Sequence, residues 1–322
     1  MDRLRRFLSN RQRIFDFLWA LAMLGLPLTS FTLFVRLTRA VVAPFTALPV
    51  FLLLMAWLVP YLLRGGALPR ESKPLFLFGL VALAASAGAL FIDIPTLKGR
   101  SVLGQEARAF VTLVIGAAFY LIFAAYPREE EQLNKTLRWI HIGGLVMMTW
   151  TIIQFFYLNN PYGFPVWADR IQEVLVTKTP NRGARITGLA YEPSWFGHQM
   201  IMLYIPLWLA ASYERTSAFK VRILRYLTIE NFLLVFGLVE FFYSLPRLSM
   251  AALLLVCVYL FYKGNLALYR KAAGAIASRK KIKRLYESRL IKSFMGLAAT
   301  GILLAFYASL GWGILYLGSQ RD

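Results

Sequence analysis

Cysteine and charged residues are scarce in this chain. Cys257 is the one cysteine among 322 residues, which excludes an internal disulfide and a CxxC metal or redox motif. Charged residues make up 16% of the chain and hydrophobic residues 58%, with a mean hydropathy of +0.57. Soluble globular chains contain only about 45–50% apolar residues. The composition therefore excludes a soluble enzyme and predicts a membrane protein.

Acidic residues are also few, with 16 Asp and Glu against 36 Lys and Arg. In a membrane protein this surplus reports on orientation, and no nucleic-acid-binding motif accompanies it. We expect an all-α, polytopic membrane helix bundle that forms one domain over 1–322. A helix needs roughly 20 apolar residues to cross the bilayer. About nine segments qualify, namely 15–35, 40–63, 75–92, 109–126, 139–158, 189–212, 231–245, 248–262 and 293–317.

The distribution of basic residues predicts a cytoplasmic amino terminus, an uncleaved first span and an outer carboxyl terminus. The cytoplasmic segments then hold 25 of the 36 lysines and arginines, which satisfies the positive-inside rule. The basic run 279–284, in the basic cytoplasmic loop 263–292, is the strongest anchor. The cytoplasmic segments are 1–14, 64–74, 127–138, 213–230 and 263–292.

Two cytoplasmic stretches combine basic residues with apolar residues at helical spacing. In 214–229, Phe219, Ile223 and Leu227 recur at intervals of four, and basic residues lie between them. This pattern predicts a helix that lies on an anionic membrane surface. The same interpretation applies to 264–292.

The segments 231–245 and 248–262 are short and are joined by Leu245-Pro246-Arg247. Proline interrupts a helix, and an arginine at membrane depth requires a polar setting. We expect a hairpin of two helices that turns near the outer surface. The alternative is one long, kinked helix, which would invert the last span. Glu240 and Arg247 are expected to face a substrate, unless they form a structural ion pair with each other or with another helix.

The predicted outer loop 159–188 contains several basic residues, which the positive-inside rule does not explain. The loop leads into Glu192-Pro193, where proline suits the first turn of a helix and Glu192 lies at or beside its cap. An outward helix amino terminus offers unpaired N–H groups, and Arg185 lies a few residues before it. The sequence therefore predicts a binding site for an anion such as a diphosphate. The basic residues of the loop are Arg170, Lys178, Arg182 and Arg185, opposed by Asp169 and Glu173.

Glu192 has a second interpretation, in which it only caps the helix and pairs with Arg185 or Arg182. Spacings of four and seven place Glu192, Phe196 and Gln199 on one helical face. Gln199 would then continue a polar stripe inward from the loop.

Two motifs resemble those of one membrane family. The pattern R-x-x-G-x-x-x-E-P-S precedes a helix, and an outer S-x-x-R-x-S turn follows later in the chain. Together, over roughly 110–317, they resemble the bacterial O-antigen ligase and O-antigen or exopolysaccharide polymerase family. The family continues beyond the last span, so we expect its carboxy-terminal part to be missing here. The matching residues are Arg185, Gly188, Glu192, Pro193 and Ser194, then Ser244, Arg247 and Ser249.

The resemblance implies metal-independent glycosyl transfer outside the bacterial inner membrane, without a cofactor. The donor would be a glycan on undecaprenyl diphosphate, and Arg185 and Arg247 would stabilise the charge of the leaving diphosphate. Glu192 is the candidate catalytic residue. Further partners would be membrane lipids and subunits of polysaccharide synthesis or export, and no nucleic acid. The aromatic residues expected to stack on sugar rings are Tyr191, Trp195, Trp167 and Tyr162.

Two other functions are compatible with the sequence. A transporter or flippase of an anionic or lipid-linked substrate would use Glu240 and Arg247 along a translocation path. A non-catalytic membrane subunit of a polysaccharide synthase would need neither residue for chemistry. The sequence does not distinguish a polymerase from a ligase.

Overall fold

The computed structural model describes residues 2–40, 42–89, 91, 101–158, 165–178, 185–219, 222–224 and 227–277. Some sequence predictions fall outside these residues, namely those for Tyr162, Arg182, the basic run 279–284 and the last span 293–317. The chain divides into two compact units at the bond between Pro246 and Arg247.

Helices account for most of the described residues. In the first unit they are α1 (Asp2–Leu24), α2 (Thr32–Thr38), α3 (Ala47–Leu63), α4 (Lys73–Ala89), α5 (Val102–Ala125), α6 (Glu130–Leu158), α7 (Val166–Leu175), α8 (Pro193–Gln199, Met200–Tyr204 and Ile205–Tyr213 in succession) and α9 (Ile229–Ser244). A short antiparallel hairpin pairs β1 (Arg222–Leu224) with β2 (Leu227–Thr228). The second unit contains α10 (Arg247–Ala277).

Four of these helical stretches are long and apolar enough to cross a membrane, as expected of a membrane protein. They overlap with the predicted segments 75–92, 109–126, 139–158 and 248–262. Half of the apolar stretch of α6 is buried inside the protein, against 6% for α4 with its preceding turn and 11% for α5. The apolar stretch of α6 is therefore the most buried of the three, and α4 and α5 leave most of their apolar surface exposed. The four stretches are Arg70–Ala89, Leu103–Ala125, Glu130–Leu158 and Arg247–Leu266.

Two consecutive glycines let α1 and α8 pack closely against α6. A Cβ atom on Gly143 would lie 2.9 Å from the carbonyl oxygen of Leu24, and one on Gly144 would lie 2.9 Å from the Trp208 and Tyr204 rings. Small residues allow such close approach between helices in membranes. A buried hydrogen bond of 2.8 Å from the Trp19 indole to the Thr136 hydroxyl adds a polar link between α1 and α6.

Both α3 and α8 contain a π-helical turn shortly before a proline. The turn Leu54–Leu58 precedes Pro60, and the turn Met200–Tyr204 precedes Pro206. In a regular helix a proline ring collides with the carbonyl group four residues earlier. The extra residue of a π turn changes the position of that carbonyl group. Both helices therefore continue through their proline, to Leu63 and Tyr213.

The prediction of a first span over 15–35 is wrong in its second half, because α1 ends at Leu24. Pro27 cannot continue a helix, and Leu28 and Thr29 donate turn hydrogen bonds to the carbonyl groups of Gly25 and Pro27 instead. The chain then forms the short helix α2. The basic residues Arg36 and Arg39, near the end of α2, are exposed.

The prediction of a surface helix over 214–229 is also wrong. The described part of this segment forms turns and the β1–β2 hairpin. Glu230, at the start of α9, accepts hydrogen bonds from the Ala218 N–H at 2.9 Å and the Ser217 hydroxyl at 3.1 Å. Thr228 and Asn231 form a capping box that fixes the beginning of α9. These local bonds outweigh the helical spacing of the apolar residues.

The predicted helix break before Arg247 is present. Leu245 has φ 46° and ψ 52°, which is uncommon for a residue with a side chain, and it ends α9. The second helix, α10, begins at Arg247 and extends to Ala277, so the first part of the predicted loop 263–292 is helical.

Candidate anion-binding site

The segment that carries the Arg185-to-Glu192 motif is a loop tied to the central helix. Ile186, Thr187, Gly188, Leu189 and Ala190 are all buried. The Gln154 side chain of α6 accepts hydrogen bonds from the N–H groups of Thr187 at 3.1 Å and Gly188 at 2.8 Å, and it donates to the Gly188 carbonyl at 2.9 Å. One side-chain amide thus supplies hydrogen-bond partners for three buried backbone groups of the loop.

Three further hydrogen bonds hold the loop and its surroundings. Ser244, the last residue of α9, donates to the Ile186 carbonyl at 2.9 Å, and Thr29 accepts from the Tyr191 N–H at 2.9 Å. Gln172 of α7 accepts a bond from Gln154 at 3.1 Å. The loop is therefore fixed from four sides, by α6, α7, α9 and the turn after α1.

Gly188 is required at its position for two reasons. Its φ of +59° lies in the left-handed region, and a Cβ atom there would lie 2.9 Å from the Thr151 hydroxyl oxygen and 3.1 Å from the Phe196 ring. We expect Gly188→Ala to destabilise the protein by about 1–3 kcal/mol, measured by thermal unfolding in detergent.

Gly116→Ala on α5 is the matched control for this change. A Cβ at Gly116 meets no atom within 4 Å, so the substitution should be neutral or slightly stabilising. Equal unfolding temperatures for the two variants would show that the Gly188 turn is not constrained.

Arg185 lies exposed at the start of this fixed loop. Its Nη1 donates a hydrogen bond of 3.2 Å to the Leu245 carbonyl oxygen. A guanidinium group carries five N–H donors, and this is its one hydrogen bond in the described part of the chain. The remaining donors have no partner among the described residues, and the bond to Leu245 fixes the orientation of the side chain.

Glu192 occupies the cap position of α8, as predicted, but its side chain does not cap the helix. Its Oε1 forms an ion pair of 3.2 Å with the Lys178 ammonium group. Lys178 also lies 5.3 Å from the centroid of the Tyr191 ring. The alternative interpretation, in which Glu192 pairs with Arg185, is thus not seen, and the pairing with Arg182 lies outside the described residues. Arg185 forms no ion pair with a carboxylate in the described part of the chain.

The aromatic side chains of the loop lie near each other. Tyr191 and Trp195 have ring centroids 6.2 Å apart, and 41% of Trp195 is exposed. An exposed aromatic ring beside a charged group is a suitable surface for a sugar ring, since its face is apolar and open.

The other predicted site residues that the structure describes lie on separate helices. Arg170 is exposed on α7, and Arg247 is exposed at the beginning of the second unit. Gln199 is half-buried, and its amide donates a hydrogen bond of 2.6 Å to the Leu26 carbonyl, so it holds α8 to the turn after α1. Arg182 lies outside the described residues.

Glu240 is a buried carboxylate of α9. It is 6% exposed, and neither oxygen has a hydrogen-bond partner among the described residues. The Thr151 side chain of α6 lies beside it, and the Thr151 hydroxyl donates to the Met147 carbonyl at 2.8 Å. Glu240 therefore lies one helical turn from Ser244, with the Thr151 side chain beside it.

Sequence reasoning missed Gln154, Gln172 and Thr29. Gln154 could have been recognised from the sequence, because a side-chain amide within an apolar span is costly unless it is hydrogen-bonded. Among the described residues, no group of three histidine, cysteine or acidic side chains is placed to hold a metal ion. No family model, curated protein or solved structure matches this chain.

Proposed function

We propose that this chain is a membrane glycosyltransferase of the polysaccharide polymerase or ligase type. It acts on undecaprenyl-diphosphate-linked glycans at the outer face of the bacterial inner membrane. The observation that supports this most directly is the exposed Arg185 on a buried loop fixed by Gln154 and Ser244. A cation held in one orientation suits a leaving diphosphate, because its donors need no reorganisation as charge develops.

In the proposed reaction an acceptor hydroxyl oxygen bonds to the anomeric carbon, and the bond from that carbon to the diphosphate oxygen breaks. Arg185 stabilises the departing diphosphate in a forked contact. The acceptor proton passes to a carboxylate, for which Glu192 is the candidate, with Lys178 orienting it. Tyr191 and Trp195 stack on the sugar. The role of Arg247 rests on the family resemblance alone.

The proposed topology has about nine spans, a cytoplasmic amino terminus and an outer carboxyl terminus. We expect single cysteines introduced as Arg170→Cys and Arg247→Cys, in a Cys257→Ser background, to react with a membrane-impermeant thiol reagent from outside intact cells. Arg64→Cys is the control and should react only after the membrane is opened. Labelling of Arg170→Cys from the cytoplasmic side alone would overturn the topology and the site.

The direct test of the function uses purified full-length protein in vesicles with a lipid-diphosphate glycan as donor. Formation of longer or transferred glycan, with release of undecaprenyl diphosphate, is the expected result. The contrary result is a correctly inserted protein that is inactive alone and supports transfer only after other synthase subunits are added. That result would identify a non-catalytic subunit.

A second candidate function is a transporter or flippase. The buried Glu240 favours it, because an ionisable side chain buried among the helices of a membrane bundle often marks a translocation path. Flipping of the lipid-linked glycan by the purified protein, without elongation and with its loss in Glu240→Gln, would establish this function in place of glycosyl transfer.

A further inference from the structure

A second cationic site lies at the other end of α1. A cleft of about 590 Å³ opens between α1 and the end of α3, a size within the usual range for ligand pockets. We call it the Arg11–Arg64 cleft. It is lined by Arg11, Gln12, Phe15, Trp57, Pro60, Tyr61, Arg64, Gly65 and Gly66. Arg11 and Leu24 are about 20 Å apart along α1, so the cleft is remote from the Arg185 loop.

The two arginines in the cleft have no carboxylate partner among the described residues. Neither takes part in a salt bridge in the described part of the chain. Arg11 donates a hydrogen bond of 3.1 Å to the carbonyl of Ala56. In a regular helix the N–H of residue 60 would bond to this carbonyl, but Pro60 has no N–H. The nearby carboxylate of Asp16 already accepts bonds from Gln12 and from Tyr126.

Aromatic rings form one wall of the cleft. Tyr61 bonds through its hydroxyl to the backbone of Ala67, and Gly66 packs so closely that an added Cβ would collide with the Tyr61 ring. Arg128 lies 4.3 Å from the Tyr61 centroid and 5.4 Å from the Trp57 centroid, which adds a third positive charge. The cleft is therefore a formed, basic pocket and not a chance gap between flexible side chains.

The surface beside the cleft is apolar. Ile14 and Phe17 of α1 are 58% and 64% exposed, and Leu63 at the end of α3 is 82% exposed. A small soluble anion would gain no binding energy from these apolar side chains. A lipid matches both features, because its phosphate meets the arginines while its acyl chains cover the apolar side chains.

We propose that the Arg11–Arg64 cleft binds the phosphate of an anionic glycerophospholipid, with the acyl chains against Ile14, Phe17 and Leu63. Arginine is suited to this because it stays charged and contacts phosphate oxygens in a fork. The site is separate from the Arg185 loop, so it holds whether or not the chain transfers glycans.

Native mass spectrometry of the purified full chain tests the proposal, with dioleoyl phosphatidylglycerol as the probe and dioleoyl phosphatidylcholine as the comparison. The double variant Arg11→Gln/Arg64→Gln should bind the first phosphatidylglycerol about 30-fold more weakly, at roughly fivefold per arginine. Arg13→Gln/Arg108→Gln removes the same charge from exposed positions outside the cleft and should change binding less than twofold.

Two results would overturn the proposal. One is an equal loss in both double variants, which would mean that only net charge matters. The other is inorganic phosphate that displaces the lipid at millimolar concentration with the same dependence on Arg11 and Arg64, which would identify a site for soluble phosphate. If the double variant fails to fold, Arg64→Gln alone decides, because no described side-chain hydrogen bond is lost, and the expected loss is about fivefold.

Discussion

Arg185→Ala is expected to reduce glycan transfer by at least about 100-fold, the usual loss when one preorganised donor to a developing anion is removed. The guanidinium is exposed and held by Leu245, while the nearby carboxylate Glu192 pairs with Lys178. No neighbouring group in the described loop carries the same unpaired positive charge toward solvent. The measurement is the rate of product formation from lipid-diphosphate glycan by the purified variant in vesicles.

Two controls separate charge from structure. Arg36→Ala removes an exposed arginine from the end of α2 and should leave the rate within twofold. Ser244→Ala removes the neighbouring anchor on the Ile186 carbonyl without changing charge, and it should lower the rate much less than Arg185→Ala. If Ser244→Ala is as inactive as Arg185→Ala, Arg185 acts by positioning the loop and not by binding the diphosphate.

Gln154→Leu is expected to cause the largest loss of stability, at least about 3 kcal/mol. Three buried backbone groups, the N–H of Thr187 and both the N–H and the carbonyl of Gly188, lose their partner together. An unsatisfied buried group costs about 1–3 kcal/mol, and leucine offers no replacement. Thermal unfolding in detergent, followed by circular dichroism, measures the change.

Thr149→Val is the matched control on the same helix. Thr149 is exposed, and its one hydrogen bond among the described residues is to the Leu145 carbonyl of its own helix, so the change should be within about 0.5 kcal/mol. Similar unfolding temperatures for the two variants would contradict the role given to Gln154. Gln154→Leu should also lower transfer, because Arg185 begins the loop that Gln154 holds.

The sequence predicted the features that depend on local rules. Pro193 correctly indicated the start of α8, with Glu192 at its cap, and long apolar runs indicated the four helices that are long enough to cross a membrane. Leu245-Pro246 correctly indicated a break between α9 and α10. These features follow from the missing N–H of proline and from the cost of burying polar groups in lipid.

Features that depend on distant residues were not predicted. The chain after α1 is held by Ser30 and Thr32, through bonds to Thr177 and to the carbonyl of Glu173. The ion pair of Glu192 with Lys178 joins residues that are fourteen positions apart in the chain. Periodicity reports on one helix at a time, so it contains no information about such partners.

The π-helical turns of α3 and α8 have a consequence for comparing this chain with others. Each turn holds one residue more than a regular helix, which rotates everything after it by about 100°. In α8 that rotation places Trp208 beside α6, where its indole N–H donates a hydrogen bond of 3.1 Å to His141. A relative of the same fold that lacks the extra residue would align with a one-residue gap inside a span, at 54–58 or 200–204. Alignments that forbid gaps within helices would then pair the wrong faces from that point on.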